Sequence, residues 1–335
     1  MPVLRLATTD PFLNLAIEEH VLERIHDLGP TLILWRNDPC VVIGRHQNPW
    51  LECDLAALRR HGLPLVRRIS GGGAVYHDGG NTNFSFLASE SDYDQERHFR
   101  VVISGLSRLG IAAWKTDRND LRVGDRKISG NAFRHTRGRS LHHGTLLVNA
   151  DLDRLTAFLT PSAALIETKA IPSVRSRVVN LSDARPGLTH EPLGDAIAQA
   201  YAAEYGEDAA RPIVADPGSW DTIRSRRAEL ASWEWVFGHT PTFVRKVVVE
   251  GADVALTVKR GAIVSVERGT GDDGAVPIVG PPPQAANPTA DPAIPTLVQA
   301  LREAIVGVRY DREALLEAAR SSGARAVRSL AERID

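Results

Sequence analysis

Residues 67–86 read RRISGGGAVYHDGGNTNFSF: two arginines, three consecutive glycines, a short apolar run, then a second glycine pair among polar residues. Glycine turns with φ > 0 and lets a ligand approach the main chain closely. Successive bare N–H groups form an anion-binding concavity. A guanidinium from Arg67 or Arg68 adds fixed charge and paired donors suited to phosphate or carboxylate. The stretch lacks the Gly-Lys-Ser/Thr of a Walker loop, and a strand rather than a helix follows the glycines, so it is not a dinucleotide fingerprint either. Glycine count alone fits a structural turn as well as a ligand loop. The arginines and polar neighbours favour a ligand loop at Ser70–Gly73.

Outward from this stretch the pattern alternates between strand and helix. LPLVRRIS reads as a strand entering the glycines, AVYH and TNFSFLA as strands leaving them, and DGGN between these two as a tight hairpin. In the second, Phe84 and Phe86 point one way and Asn83 and Ser85 the other. TLILWR and CVVIGRH, broken by Asn37-Asp38-Pro39, read as paired strands. DPFLNLAIEEHVLERIHDLG reads as one helix capped by Asp10, with Pro11 in its first turn and Leu13, Ile17, Val21 and Ile25 on its inward face. DLAALRRHG is a short helix from Asp54 to Gly62, and 94–109 a longer one facing inward through Phe99, Val102, Ile103, Leu106 and Leu109.

Short strand-like pieces follow (IAAWK, DLRV, RKISGNAF, LHHGTLLVN), then the helix DLDRLTAFL, the loop IPSVRSRVVNL, and helices near 191–205 and 219–232. The character changes at about 241–246. Beyond lie strands joined by GAD and RGA turns, a Pro/Gly/Ala-rich stretch at 276–295, and a helical tail. Without strict βαβ alternation the fold class is α+β: a large mixed-sheet domain, 1–243, and a small α+β domain, 246–335.

The chain has 335 residues, 43% hydrophobic and 24% charged, with net charge −1. That composition is ordinary for a globular protein of about two domains and argues against a bulk nucleic-acid binder. Its two cysteines, Cys40 and Cys53, make no disulfide framework, and a reducing, cytoplasmic setting is expected. The N-terminus lacks the pattern of a signal peptide, and no uncharged apolar run reaches the ~20 residues of a membrane span.

A second cluster, RNDLRVGDRKISGNAFRH, crowds Arg118, Arg122, Arg126, Lys127, Arg134, Arg137 and Arg139 against only Asp120 and Asp125. On a strand, Lys127 and Ser129 share one face while Arg126 and Ile128 share the other. Such a lysine is ordinarily a solvated surface charge, but this density of cations also suits an anion. Asn119-Asp120 fits a nucleotide contact, a magnesium ligand or a turn. His142 and His143, adjacent on a strand, face opposite ways and do not suit one metal ion; hydrogen-bonding or core histidines are expected.

Seven stretches then resemble, in order, the lipoate–protein ligase A family: DPFLNLAIEEHVL, LWRNDPCVVIGRHQNPWLEC, RRISGGGAVYHDGGNTNFSF, RNDLRVGDRKISGNAF, HHGTLLVNADLDRL, IPSVRSRVVNL and ASWEWVFGHTPTF. The resemblance covers nearly all of the first 243 residues; the tail matches less specifically. It implies the fold of biotin/lipoate protein ligases with an accessory C-terminal domain. It implies activation of lipoate by ATP, with magnesium (Mg2+), to lipoyl-AMP, and transfer to a lysine of lipoyl domains of 2-oxoacid dehydrogenases or of the glycine cleavage H protein. Neither nucleic acid nor membrane is implied as a partner, and a monomer is the expected state.

By family motif, Arg68, Gly73, Ala74, Val75 and Tyr76 would contact ATP. Lys127 would reach both the acyl carbonyl and the α-phosphate. Ser70, Gly71, Gly72 and His77 would contact lipoate, with Asn119, Asp120, His143 and Gly144 in support. The acyl tunnel would border Trp35, Val42 and Ile43-Gly44. The rivals are a transferase of the same fold that works through a cysteine thioester, a biotin–protein ligase, a non-catalytic relative, and an enzyme that only transfers from preformed lipoyl-AMP. The thioester mechanism needs a nucleophilic cysteine after KISGNAF, and none stands there.

Overall fold

A computed structural model describes residues 2–136, 138–159, 166–170, 172–173, 176–206, 217–269 and 293–334. Arg137, three residues of the IPSVRSRVVNL loop and most of the 276–295 stretch lie outside them. In chain order the elements are β1 (Val3–Arg5), α1 (Pro11–Glu23), α2 (Ile25–Leu28), β2 (Thr31–Trp35), β3 (Cys40–Ile43), α3 (Pro49–Glu52), α4 (Leu55–Arg60), β4 (Leu65–Arg67), β5 (Val75–His77) and β6 (Asn81–Ser89). Next come α5 (Gln95–Arg108), β7 (Ala113–Lys115), β8 (Leu121–Val123), β9 (Arg126–Ser129), β10 (Asn131–Thr136), β11 (Arg139–Leu147), α6 (Leu152–Phe158), β12 (Ile166–Thr168), α7 (Leu181–Ala184), α8 (His190–Tyr205), α9 (Pro217–Leu230) and α10 (Trp233–Val236). The remainder is β13 (Phe243–Val249), β14 (Ala252–Lys259), β15 (Ala262–Arg268), α11 (Ala293–Ile305), α12 (Arg312–Ser322) and α13 (Arg325–Ala331).

Two compact units result: Met1–Thr160 with Ile171–Val236, and Pro161–Ala170 with Phe237–Asp335. The second unit takes β12 from within the first half of the chain because that strand pairs antiparallel with β13. A single linear boundary at 241–246 does not express this exchange.

In the first unit, β1-β2-β6-β11-β10 form one sheet, and β4-β3-β5 and β7-β8-β9 form two smaller ones. Parallel (β1–β2, β3–β4) and antiparallel pairs coexist, which is the mixed sheet expected of an α+β fold. The alternation along β6 separates the core from the site. Phe84 and Phe86 pack with Leu32 and Leu34 of β2 against Phe99 and Val102 of α5 and Ile197 of α8. Fully burying each such side chain is worth about 1.5–3 kcal/mol. Asn83 and Ser85 face the opposite way, toward α1 and a cavity. Asp94 caps α5 by accepting from the Arg97 amide, and Asp54 caps α4 in the same manner.

Four readings need correction. β2 and β3 do not pair: Asp38 is drawn to the Thr9 carbonyl and Asn37 turns inward onto Asn14 and His77, so the chain passes from one sheet to another. The DGGN turn forms, with the Asp78 carboxylate accepting from the Gly80 amide, but its arms are not a hairpin. β5 joins β3 and β6 joins β2, while the Gly80 carbonyl accepts from Val148 and Asn149. The first helix breaks at Arg24 into α1 and α2. Its inward face carries Asn14, Leu15 and Glu18, with Leu13 and Ile17 half-exposed, because Asn14 and Glu18 find polar partners inside.

In the second unit, β12–β15 form an antiparallel sheet. Glu250-Gly251 and Arg260-Gly261 all have φ > 0, the signature of two-residue type I′ hairpin turns. Val254, Leu256 and Val258 alternate into a core closed by Leu301, Tyr310 and Val327.

Candidate active site

The cavity of the first unit has a volume of about 690 Å3 and is built around the glycine loop. The two arginines that precede the loop take different parts. Arg67 is fully buried; its guanidinium donates to the carbonyls of Val236, Gly44, Arg45 and Gln47, bracing the 44–47 turn from behind. Arg68 lines the cavity. Its Nε donates to Ser70 Oγ (3.0 Å), and its Nη2 donates to the carbonyls of Gly71 (2.5 Å) and Gly73 (2.8 Å). Burial pushes both guanidiniums down to about 10, which leaves them charged at neutral pH. The loop thus turns its carbonyls onto Arg68. Gly72 has φ +83°, which strains any other residue, and a Cβ there would stand 2.9 Å from Arg68 Nη2, so the guanidinium would have to shift. Gly44 is glycine for a related reason, since a Cβ would collide with the Gly72 carbonyl.

Lys127 stands on β9, on the cavity wall. Its Nζ is 2.8 Å from Asp120 Oδ1, an ion pair with both side chains largely covered. Its amide and carbonyl bond to Arg177 and Val179, which fixes the strand on its far side. Asn119, at φ +62°, serves the turn: its carbonyl and side chain accept from Asn131 and Gln95. Asp120 lines the cavity and Asn119 does not.

The inner end is formed by Leu15, Trp35, Val42, His77, Asn83 and His143, all at most 7% exposed. Asn37 Nδ2 donates to His77 Nδ1 at 3.0 Å, so the His77 proton sits on Nε2. That N–H is buried without a partner among the described residues, and burial holds the ring neutral with a pKa of about 3. His143 lies between Glu18 (Nδ1 to Oε1, 3.0 Å) and Ser70 (Nε2 to Oγ, 2.7 Å). With its proton on Nδ1 facing the carboxylate, Nε2 accepts the Ser70 O–H. Glu18 also accepts from Ser85, whose oxygen accepts from Trp35 Nε1. The Ser–His–Glu order is that of a hydrolase triad, yet Ser70 is fully buried and does not line the cavity, so the chain orients groups rather than presenting a nucleophile.

Of the residues singled out from sequence, the cavity brings together Arg68, Gly72, Gly73, Ala74, Val75, His77, Asp120, Lys127, His143 and Gly144, with Trp35 and Val42. Ser70, Gly71, Tyr76, Asn119, Ile43 and Gly44 are not on its lining. Tyr76 packs against Phe158. A Cβ on Gly144 would collide with the Phe84 ring, so this glycine lets β11 lie close over β6. His142 faces the aromatic core, opposite His143 as expected, and donates to Asn131. Among the described residues no group of three or more His, Cys, Asp or Glu could hold a metal ion. Both thiols are buried away from the cavity, and burial pushes both up. No helix among the described residues is long and apolar enough to cross a membrane.

Sequence reasoning missed Glu18, Asn37, Glu52 and Ser173. The Ser173 hydroxyl accepts from the Ala74 amide (2.9 Å) and Gln47 (3.0 Å) and donates to Glu52. It ties the IPSVRSR loop to the glycine loop. Glu18 was signalled by polar residues at an i, i+4 spacing, Asn14 and Glu18, within an otherwise apolar helix; for Ser173 no local signal exists.

Fold and site together define an enzyme domain in which an arginine-braced glycine loop and a lysine share one cavity, whose buried inner end sets Leu15, Trp35 and Val42 beside His77, Asn83 and His143. Residues 10–202 match the family described as the lipoyl protein ligase A/B catalytic domain. The chain is 43% identical over 277 residues, 79% of its own length and 81% of the relative's, to lipoate-protein ligase A of Psychrobacter cryohalolentis. Among solved structures it is similar to P. falciparum LipL1 in complex with lipoate (26% identity, 95% of this chain and 94% of that one, TM-score 0.63) and to a lipoate-protein ligase A bound with ATP (27%, 70% and 97%, TM-score 0.62). A bipartite lipoate protein ligase of Thermoplasma acidophilum, described with its E2 lipoyl domain, is also similar (28%, 70% and 95%, TM-score 0.60). The chain belongs to the lipoyl protein ligase A/B family.

Proposed function

We propose that this lipoate–protein ligase catalyses two steps in the cavity built around its glycine loop. A lipoate carboxylate oxygen attacks the α-phosphorus of ATP; the bond to the β-phosphate breaks, and lipoyl-AMP and pyrophosphate form. The neutral amine of an acceptor lysine then attacks the acyl carbon; the bond to AMP breaks, the nitrogen sheds a proton, and an amide remains. The observation that carries this reading is the convergence of the Arg68-braced glycine loop, Lys127 and the buried inner end beside Trp35 and Val42 on one cavity. ATP bound to one similar ligase and lipoate bound to another support both substrates.

The first step brings negative groups together. The Lys127 ammonium, held by Asp120, offsets that repulsion in a partly enclosed site beside the glycine loop. The dithiolane and its chain lie toward Trp35 and Val42, with His77 Nε2–H as a fixed neutral donor and His143 oriented by Glu18. Enclosure also protects the acyl-adenylate from water. An acceptor lysine, with a free pKa near 10.4, is neutral about once in 10³ at pH 7, and the cationic wall favours its neutral form. Magnesium would accompany ATP and offset phosphate charge, and Asp120 and Asp125 are the carboxylates on the cavity lining that would help to hold it.

The acceptors are lipoyl domains, including the glycine cleavage H protein. The first unit is catalytic and the second accessory, and the enzyme works in the cytoplasm as a monomer. Incubation with lipoate, ATP and an apo lipoyl domain, followed by mass measurement of the acceptor, tests the activity; no lipoyl adduct refutes it. The cysteine-thioester transferase is disfavoured by two thiols that are buried and off the cavity.

A further inference from the structure

The cavity wall carries more positive charge than the acyl-phosphate needs. Five cationic side chains line it (Arg68, Arg118, Arg122, Lys127 and Arg177) against the carboxylates of Asp120 and Asp125. They are not evenly spread. Arg68 is enclosed in the glycine loop, whereas Arg118 and Arg177 are exposed, at the solvent end and away from the buried Trp35 and His77.

Arg122 is the cross-strand partner of Lys127 in the β8–β9 ladder. Directly opposed residues of antiparallel strands share a face, with Cβ atoms about 4.5–5.5 Å apart. Arg122 Nη1 is pinned to the Asp125 carbonyl at 2.7 Å, while its Nε is enclosed without a partner among the described residues. On the other flank, the backbone of Lys127 bonds to Arg177. The side chains of Arg118 and Arg177 have no hydrogen-bond or ion-pair partner among the described residues. Arg126, the neighbour on the opposite face of β9, is absent from the lining. The ladder therefore sets Arg122 beside Lys127 on the cavity face, and the exposed Arg118 and Arg177 complete the cationic wall around that pair.

We infer that Arg118, Arg122 and Arg177 form the subsite for the β- and γ-phosphates of ATP, and hence for the leaving pyrophosphate. The assignment rests on the two-step reading above. With Lys127 at the α-phosphate, the neighbouring guanidiniums meet the next two phosphates, and their planar forks suit paired phosphate oxygens. They stabilise the charge that builds on the β-phosphate as its bond to the α-phosphorus breaks. The exposed pair then releases pyrophosphate outward, leaving the acyl-adenylate inside. A solvated row of surface arginines would do none of this.

The test separates the half-reactions. Arg122→Gln and the double variant Arg118→Gln/Arg177→Gln are assayed for lipoate-dependent ATP–pyrophosphate exchange, for inhibition by inorganic pyrophosphate, and for transfer from synthetic lipoyl-AMP to an apo lipoyl domain. Thermal melts confirm folding; substitutions at exposed arginines leave it intact. Each lost charge-assisted contact is expected to raise the KM for ATP and the inhibition constant of pyrophosphate about 10- to 100-fold, and the ratio of exchange to transfer falls by a like factor. Arg122→Lys is expected to recover part of the loss. Exchange and transfer falling together, pyrophosphate inhibition unchanged, or a defect confined to the KM for the acceptor domain would each overturn the assignment. Absence of exchange in the unsubstituted enzyme would instead sink the activation step itself.

Discussion

Gly72→Ala tests the glycine loop most sharply. A non-glycine residue at φ +83° costs about 1–2 kcal/mol. The new Cβ would also stand 2.9 Å from Arg68 Nη2 and 3.3 Å from Ala132 Cβ. Arg68 cannot swing aside freely, because Nε and Nη1 are tied to Ser70 and Val42. Relief requires loosening its bonds to the Gly71 and Gly73 carbonyls, and one charged hydrogen bond is worth about 1.5–3 kcal/mol. Together these give about 3–5 kcal/mol. If the loop must hold this shape to bind ATP, affinity falls about 100-fold or more. The control is Gly71→Ala, where a Cβ meets nothing within 4 Å and φ is not positive. Titration calorimetry with ATP on both variants should show a large loss for the first and little for the second. Equal ATP affinity in Gly72→Ala and the unsubstituted protein would refute the reasoning.

Lys127→Ala should melt within a degree or two of the unsubstituted protein but lose about 10²–10³ in turnover, measured as acceptor lipoylation; near-normal turnover would remove Lys127 from the chemistry. Cys40→Ala/Cys53→Ala should keep its activity despite some loss of stability, and an inactive but folded double variant would revive the thioester mechanism. Buried, neutral His77 and His98, with pKa values of about 3, and His142, held well below the usual range by burial, give a pH signature. Their stabilisation is full above pH 6.5 and is lost as pH falls from there toward 3, by about 1.4 kcal/mol per pH unit for each. Glu19 and Glu52, whose pKa values burial raises, act in the opposite sense. Denaturant midpoints flat between pH 7 and 5 would contradict this.

The glycine loop, Lys127 and the opposite facing of His142 and His143 were legible because each rests on local rules: bare backbone, strand alternation, charge density. What misled was the assumption that sequence neighbours pair. Asn37 and Asp38 are turn residues by type, but Asn37 is spent on His77, so β2 and β3 part. The inward face of α1 was misread for a like reason. Leu13 and Ile17 are the apolar choice, yet the helix lies over a polar cluster that only the folded sheet assembles, and Glu18 belongs there. Ser173 and Glu52 meet across more than a hundred residues, a pairing that no local pattern encodes.

The most direct measurement is a structure with a non-hydrolysable lipoyl-AMP analogue. The account expects the phosphate within about 2.7–3.2 Å of Lys127 Nζ and of main-chain groups at Gly73–Val75, with the acyl chain ending beside Trp35 and His77. A phosphate held elsewhere, or an acyl chain lying outside the cavity, would contradict it.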